Sequence, residues 1–213
     1  MQDYIDRILA HKKEHINTLR HTLKNTDYDA ISVDTDSLGK FKHCLTTNEF
    51  SIIGEIKRKS PLKTHINNDR LISNIVDEYI IEGVNAISVI TEEKVFAGSL
   101  DDLTLIVSQL KGSNIPILRK DFIIDELQII ETIMLGANAL LLIVAILKEK
   151  TEILFKKAQS LGIDVMIEVH TYAELEYALS IGAEIIGINN RNLMNFKGDL
   201  NRCFDLIASV PSS

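Results

Sequence analysis

The chain has 213 residues, with 23 Lys and Arg against 30 Asp and Glu, and a formal net charge of −7. At 46% hydrophobic and 25% charged, it has the make-up of a soluble globular protein of one large or two small domains, too apolar to stay disordered. The acidic balance lacks the clustered Lys and Arg that grip a phosphate backbone, so no nucleic-acid partner is expected.

Met1–Asp6 is polar and acidic with no apolar stretch behind it, so no secretory signal is expected. Ile5, Ile8, Leu9, Ile16, Leu19 and Leu23 then recur at helical spacing among Arg, His, Lys and Glu, the pattern of an amphipathic helix. Thr26–Lys42 is polar and acidic and reads as a loop with short structure. No Pro- or Gly-rich linker follows. Residues 1–50 are therefore expected to be a helical extension of the domain that fills 51–213.

From Phe50 onward a regular unit repeats. Gly83, Gly112, Gly136, Gly162 and Gly182 each follow a helical stretch and precede a short apolar run, at spacings of 29, 24, 26 and 20 residues. That is the length a strand and its crossover helix need. The apolar runs predict six strands, at about 51–57, 85–90, 115–119, 138–143, 164–169 and 185–189. They are nearly continuous rather than alternating, as in parallel strands covered on both faces. Amphipathic stretches such as Leu71–Glu82 and Thr151–Leu161 fill the gaps. The longest apolar run, Ala137–Leu147, is broken by Asn138 and is far short of the ~20 residues that span a bilayer. No membrane partner is expected. Cys44 and Cys203 lie far apart without CxxC spacing, so neither a disulfide framework nor a zinc site is suggested, and a reducing cytoplasm is the expected setting.

Polar residues gather where the strands end. Glu55 and Lys57 share one face of the first strand, Lys120 and Asp121 end the third, Glu168 the fifth, and Asn189 and Arg191 the sixth. No GxGxxG follows the first strand and no GxxxxGK(S/T) occurs. Chemistry spread over four strand ends favours a (β/α) barrel, whose active site rings the C-terminal mouth, over a doubly wound sheet with a single switch point. Glu55 and Lys57 read either as a structural ion pair or as part of a site. Lys120 reads as a general acid, a Schiff-base nucleophile, an anion binder or a solvated loop lysine. Only one of Arg119 and Lys120 can enter the lumen, and the local pattern does not say which. Glu168, ending an otherwise apolar strand, is suited to acid–base work beside a lysine. His170 is expected at the helix layer or capping a loop, and His11, His15, His21, His43 and His65 form no metal-ligand cluster.

Together these segments resemble the indole-3-glycerol phosphate synthase family. The resemblance rests on Glu55-Ile-Lys-Arg-Lys-Ser-Pro61, Ser88 to Ser99 (SVITEEKVFAGS), Leu118-Arg-Lys-Asp-Phe122, Leu141-Leu-Ile143, Glu168-Val-His170 and Gly187-Ile-Asn-Asn-Arg-Asn-Leu193, one stretch per strand and in the family's order. It implies a TIM-type barrel that closes the indole ring of 1-(2-carboxyphenylamino)-1-deoxyribulose 5-phosphate, with loss of CO₂ and water. It also implies roles. Lys120 is the general acid at the substrate carbonyl and Glu168 the base of the dehydration. Glu55 and Asn189 assist by hydrogen bonding. Lys57 and Arg191 meet the anionic substrate, and Ser60, Phe96 and Leu193 line the pocket. The phosphorylated substrate is the expected partner, and no metal or organic cofactor is implied.

Two departures stand out. Leu62 and Thr64 replace a Ser and a Gly that the family usually carries after the first strand. The chain also shows about six of the eight βα units, without the family's Ser-Glu-Ser-Gly-like and Gly-Ser-type phosphate turns. An open gap between strands six and one is expected, with edges prone to pair with a partner or a second copy, and little turnover from the chain as it stands. The rivals are a non-catalytic remnant of the enzyme and a barrel lyase that uses Lys120 as a Schiff-base nucleophile.

Overall fold

A computed structural model describes residues 2–47, 49–61, 66, 70–191, 198 and 200–211. Leu62, Thr64 and Leu193 lie outside them. The first helix, α1 (Gln2–Thr22), buries Ile5, Ile8, Ile16 and Leu19, the apolar face that the spacing predicts. The polar stretch after it holds two short 3₁₀ turns, Tyr28–Ala30 and Thr35–Ser37. It then enters a second helix, α2 (Lys40–Thr46), where the sequence reads as loop as far as Lys42. The cause is tertiary, since Phe41 in the first turn of α2 is fully buried.

The remaining elements alternate strand and helix. They are β1 (Ile53–Ile56), α3 (Ile72–Ile81), β2 (Ala86–Ile90), α4 (Leu100–Gln109), β3 (Ile117–Lys120), α5 (Glu126–Met134), β4 (Ala139–Ile143), α6 (Val144–Leu147), α7 (Lys150–Ser160), β5 (Asp164–Val169), α8 (Tyr172–Ser180), β6 (Ile185–Ile188) and α9 (Leu200–Ala208). The glycines mark the helix ends as expected. Gly136 takes φ +82° after α5, its N–H donates to the Ile133 carbonyl and the Ala137 N–H to that of Thr132. This is a Schellman closure that only a left-handed residue completes without strain.

The strands form one parallel sheet in the order β1-β2-β3-β4-β5-β6, curled as in a barrel, with helices packed on its outer face. Among the described residues β1 and β6 do not pair, so each keeps an open edge. Val89, Arg119, Leu140, Leu142 and Ile167 face the helices, and Ile53, Ser88, Leu118, Leu141 and Met166 face the lumen. Phe41 plugs the lumen at the strands' N-terminal end against Ala86, Leu118, Ala139 and Ile185. The Lys42 N–H ties α2 there by donating to Asp164, 2.9 Å away. No described helix is long and apolar enough to cross a membrane.

The extension is bound to the other end of the sheet by charge. Lys12 on α1 reaches Asp121, just past β3, at 2.7 and 2.8 Å to its two carboxylate oxygens, and both side chains are buried. Asp121 also accepts from Thr91 Oγ1 (2.7 Å) and Arg119 (3.2 Å). Burial alone would raise the Asp121 carboxyl, but the two cations outweigh it and hold it at about 2. Arg119 bonds as well to Thr132, and its ion pair with Glu131 (2.9 Å) meets His15 of α1 at 2.8 Å from the same carboxylate.

Removing one member of a buried pair strands the other charge, at about 3 kcal/mol or more. Lys12→Met is therefore expected to lower the unfolding free energy by about 3 kcal/mol, read from urea denaturation. The same change at exposed Lys13 should stay within about 0.5 kcal/mol. Because the Asp121 carboxyl is depressed, its contribution is present above pH ~4 and lost as the pH falls towards 2.

Candidate active site

The C-terminal ends of the strands open into a cavity of about 360 Å³. Glu55, Lys57, Ser60, Phe96, Lys120, Glu168, Asn189 and Arg191 all line it. The structure thus brings together every site residue expected from the sequence except Leu193, which lies outside the described residues. Ile90, Phe122, Leu141 and Ile143 add an apolar wall. The register of β3 resolves the choice between its two terminal residues. Arg119 is fully buried towards α5, so Lys120 turns into the lumen.

One side of the cavity is organised by Glu55. Its Oε1 accepts from Lys57 Nζ at 2.8 Å and its Oε2 from Lys120 Nζ at 2.6 Å. Burial would raise this carboxyl, but the two ammonium groups more than offset it and hold it below the usual range. The backbone beneath is steadied from outside the sheet. The Tyr79 hydroxyl on α3 donates to the Glu55 carbonyl at 3.0 Å, and its ring lies against Gly54. A Cβ on Gly54 would stand 2.5 Å from that ring, so only glycine admits it.

Lys57 lies 5.9 Å from the centre of the Phe96 ring, within cation–π range. Phe96 is placed by Glu92, which sequence reasoning missed. The Glu92 carboxylate is buried and accepts the N–H groups of Lys94, Val95 and Phe96 at 2.7 to 2.9 Å. Its carbonyl accepts from Gly98 N–H, and Ala97 between them takes φ +54°. Gly98 itself has no room for a side chain, since a Cβ there would stand 2.0 Å from the Ile90 carbonyl oxygen.

Across the cavity, Asn189 Nδ2 donates to Glu168 Oε1 at 3.1 Å, and Asn189 Oδ1 accepts the Arg191 N–H at 2.9 Å. His170, expected at the helix layer or capping a loop, lies between β5 and the first turn of α8. Two residues beyond Glu168, it keeps to the same side of the chain, with Nε2 3.3 Å from Glu168 Oε1 and Nδ1 3.4 Å from Glu174 Oε2. The arrangement sets an ammonium able to give a proton and a carboxylate able to take one around a half-apolar space, the equipment of general acid–base chemistry on an anionic, partly aromatic molecule.

A family model described as indole-3-glycerol phosphate synthase matches residues 5–213. The indole-3-glycerol phosphate synthase of Thermoanaerobacter pseudethanolicus is 41% identical over 209 residues, covering 98% of this chain and 79% of its own length. That of Bacteroides thetaiotaomicron is 35% identical over 212 residues, covering 99% and 80%. A solved structure of 3-hexulose-6-phosphate synthase superposes with a TM-score of 0.53 at 15% identity, over 75% of this chain and 73% of that one. That last likeness is one of fold.

Hydrogen bonds to a charged acceptor contribute about 1.5–3 kcal/mol each, and the Glu92 carboxylate receives three. Glu92→Ala is expected to speed amide hydrogen exchange at Lys94, Val95 and Phe96 by about 10- to 100-fold, while the amides of β4 exchange as before.

Proposed function

We propose, from the premise that this chain belongs to the indole-3-glycerol phosphate synthase family, that its cavity closes the indole ring of 1-(2-carboxyphenylamino)-1-deoxyribulose 5-phosphate and releases CO₂ and water. The observation that carries this reading is the convergence of Lys120 and Glu168, from β3 and β5, on one cavity whose other polar groups hold them in place.

In this reading the aryl group of the substrate lies along the apolar wall of Phe96, Leu141 and Ile143. Lys120 points its ammonium at the ketone oxygen and protonates it as the aryl carbon attacks. Glu55 keeps that ammonium aimed, because one of its oxygens takes Lys120 while the other takes Lys57. Loss of CO₂ restores the aromatic ring. Glu168 then removes the proton whose loss accompanies departure of the hydroxyl as water. Asn189 steadies Glu168 on one oxygen. Lys57 and Arg191 meet the anionic groups of the substrate. Ser60 and, from the resemblance alone, Leu193 line the pocket.

The ion pair weighs against the Schiff-base rival. Lys120 Nζ is already engaged by Glu55 Oε2 at 2.6 Å, a contact that a lysine nucleophile would have to break to attack. The wider reading includes a cytoplasmic setting, in keeping with two half-buried cysteines that form no disulfide. It also includes association of the open edges of β1 and β6 with another chain, for which exposed Phe50 and Ile52 on one side and Phe204 and Ile207 on the other offer apolar surface.

The test is turnover of the synthetic substrate, followed by indole fluorescence and CO₂ release. Lys120→Ala and Glu168→Gln are each expected to lower kcat by about 10²- to 10⁴-fold relative to the parent chain. Borohydride added during turnover should trap no adduct on Lys120. A parent chain that does not bind the substrate, or a Lys120→Ala variant as fast as the parent, overturns the reading; the low turnover expected of six βα units does not.

A further inference from the structure

His170 follows β5 directly and does not itself line the cavity. Its side chain is 7% exposed and its ring sits between two carboxylates carried by different elements, Glu168 on β5 and Glu174 on α8. These are the charged groups that face it among the described residues. Glu174 is itself anchored at the first turn of α8. It accepts the His170 backbone N–H at 2.7 Å, and its own N–H donates to Thr171 Oγ1 at 3.2 Å, a variant of the capping box.

Both ring nitrogens therefore lie within ion-pair distance of a carboxylate oxygen. Burial alone would lower the ring's pKa, but the two carboxylates outweigh it and hold it at about 9, charged through neutral pH. The consequence for Glu168 is geometric. The ring and Asn189 both engage Oε1, and among the described residues Oε2 has no partner.

We propose that His170, anchored by Glu174, is a positioning residue that holds Glu168 by one carboxylate oxygen and leaves the other open to the substrate. The proposal rests on the reading of Glu168 as the catalytic base. A mere helix cap would need only the backbone N–H of His170, whereas this role needs the ring.

The experiment is an NMR titration of the His170 ring in the full chain, beside kinetics of ring variants. The ring is expected to titrate near 9 in the parent and to fall by about one pH unit in both Glu168→Gln and Glu174→Gln. His170→Ala should lower kcat about 10- to 100-fold with KM within about twofold, and His170→Gln, which keeps one N–H donor, should recover part of the loss. Should the alanine variant fail to fold, the glutamine variant and Glu174→Gln carry the test. A ring that titrates near its ordinary value of about 6.5, or that Glu168→Gln leaves unmoved, overturns the proposal whatever the kinetics show. So does a kcat unchanged in both ring variants. A parent chain without turnover is the outcome expected of six βα units and removes only the kinetic readout. The proposal is then decided by the titration and by a crystal structure of His170→Gln, in which an undisplaced Glu168 carboxylate would overturn it. Because the folded-state value is raised, the ring also stabilises the fold below pH ~6.5, and that contribution is lost as the pH rises through about 9.

Discussion

A carboxylate cut off from water must be surrounded by donors, and Asp121 is such a group at the end of β3. Its demands organise much of the molecule. It draws Arg119 outward into the layer between β3 and α5, and the strand's alternation then leaves Lys120 no side but the lumen. It draws Lys12 across from α1, so the extension is fastened beside the cavity rather than merely laid over the helices. Glu131 repeats the arrangement one layer out, joining Arg119 to His15. Two polar ties from one helix, Lys12 to Asp121 and His15 to Glu131, thus converge on the strand that carries the lumen lysine.

Within the cavity the two key carboxylates are in opposite situations. Glu55 has both oxygens committed to lysines, which suits an anion that aims other groups. Glu168 has one oxygen committed and one open, which suits a group that exchanges protons with a ligand. Unlike surroundings are how a site assigns different tasks to chemically similar side chains. Here part of the difference is made by residues just past the strand ends, Lys57 two residues beyond Glu55 and His170 two beyond Glu168.

How much of this was legible in the sequence follows from which interactions are local. The six strands and their glycine-closed helices were readable, because continuous apolar runs and left-handed helix ends are both written within a few residues. The lumen residues were readable where a polar group interrupts an apolar strand, as Glu55 and Glu168 do. The phase of β3 was not. A strand covered on both faces is apolar on both, so Ile117 and Leu118 gave no clue, and the deciding partner, Lys12, lies 109 residues from Asp121. Helix α2 was hidden in polar composition because its one strong cue, Phe41, is a plug for strands not yet in view. Glu92 left no trace for another reason, since its partners are backbone N–H groups that every residue but proline carries.

The sheet runs in the order of the sequence, so each strand finds its partner in the unit made just before it. The extension breaks that rule. Phe41 waits for Ile185, and Lys12 waits for Asp121. During synthesis α1 and α2 leave the ribosome before the strands, yet most of the surface they cover is translated long afterwards. Contacts that far apart in sequence close slowly. Until those strands exist, the segment cannot dock fully, and the apolar face of α1 is open to water, and to chaperones.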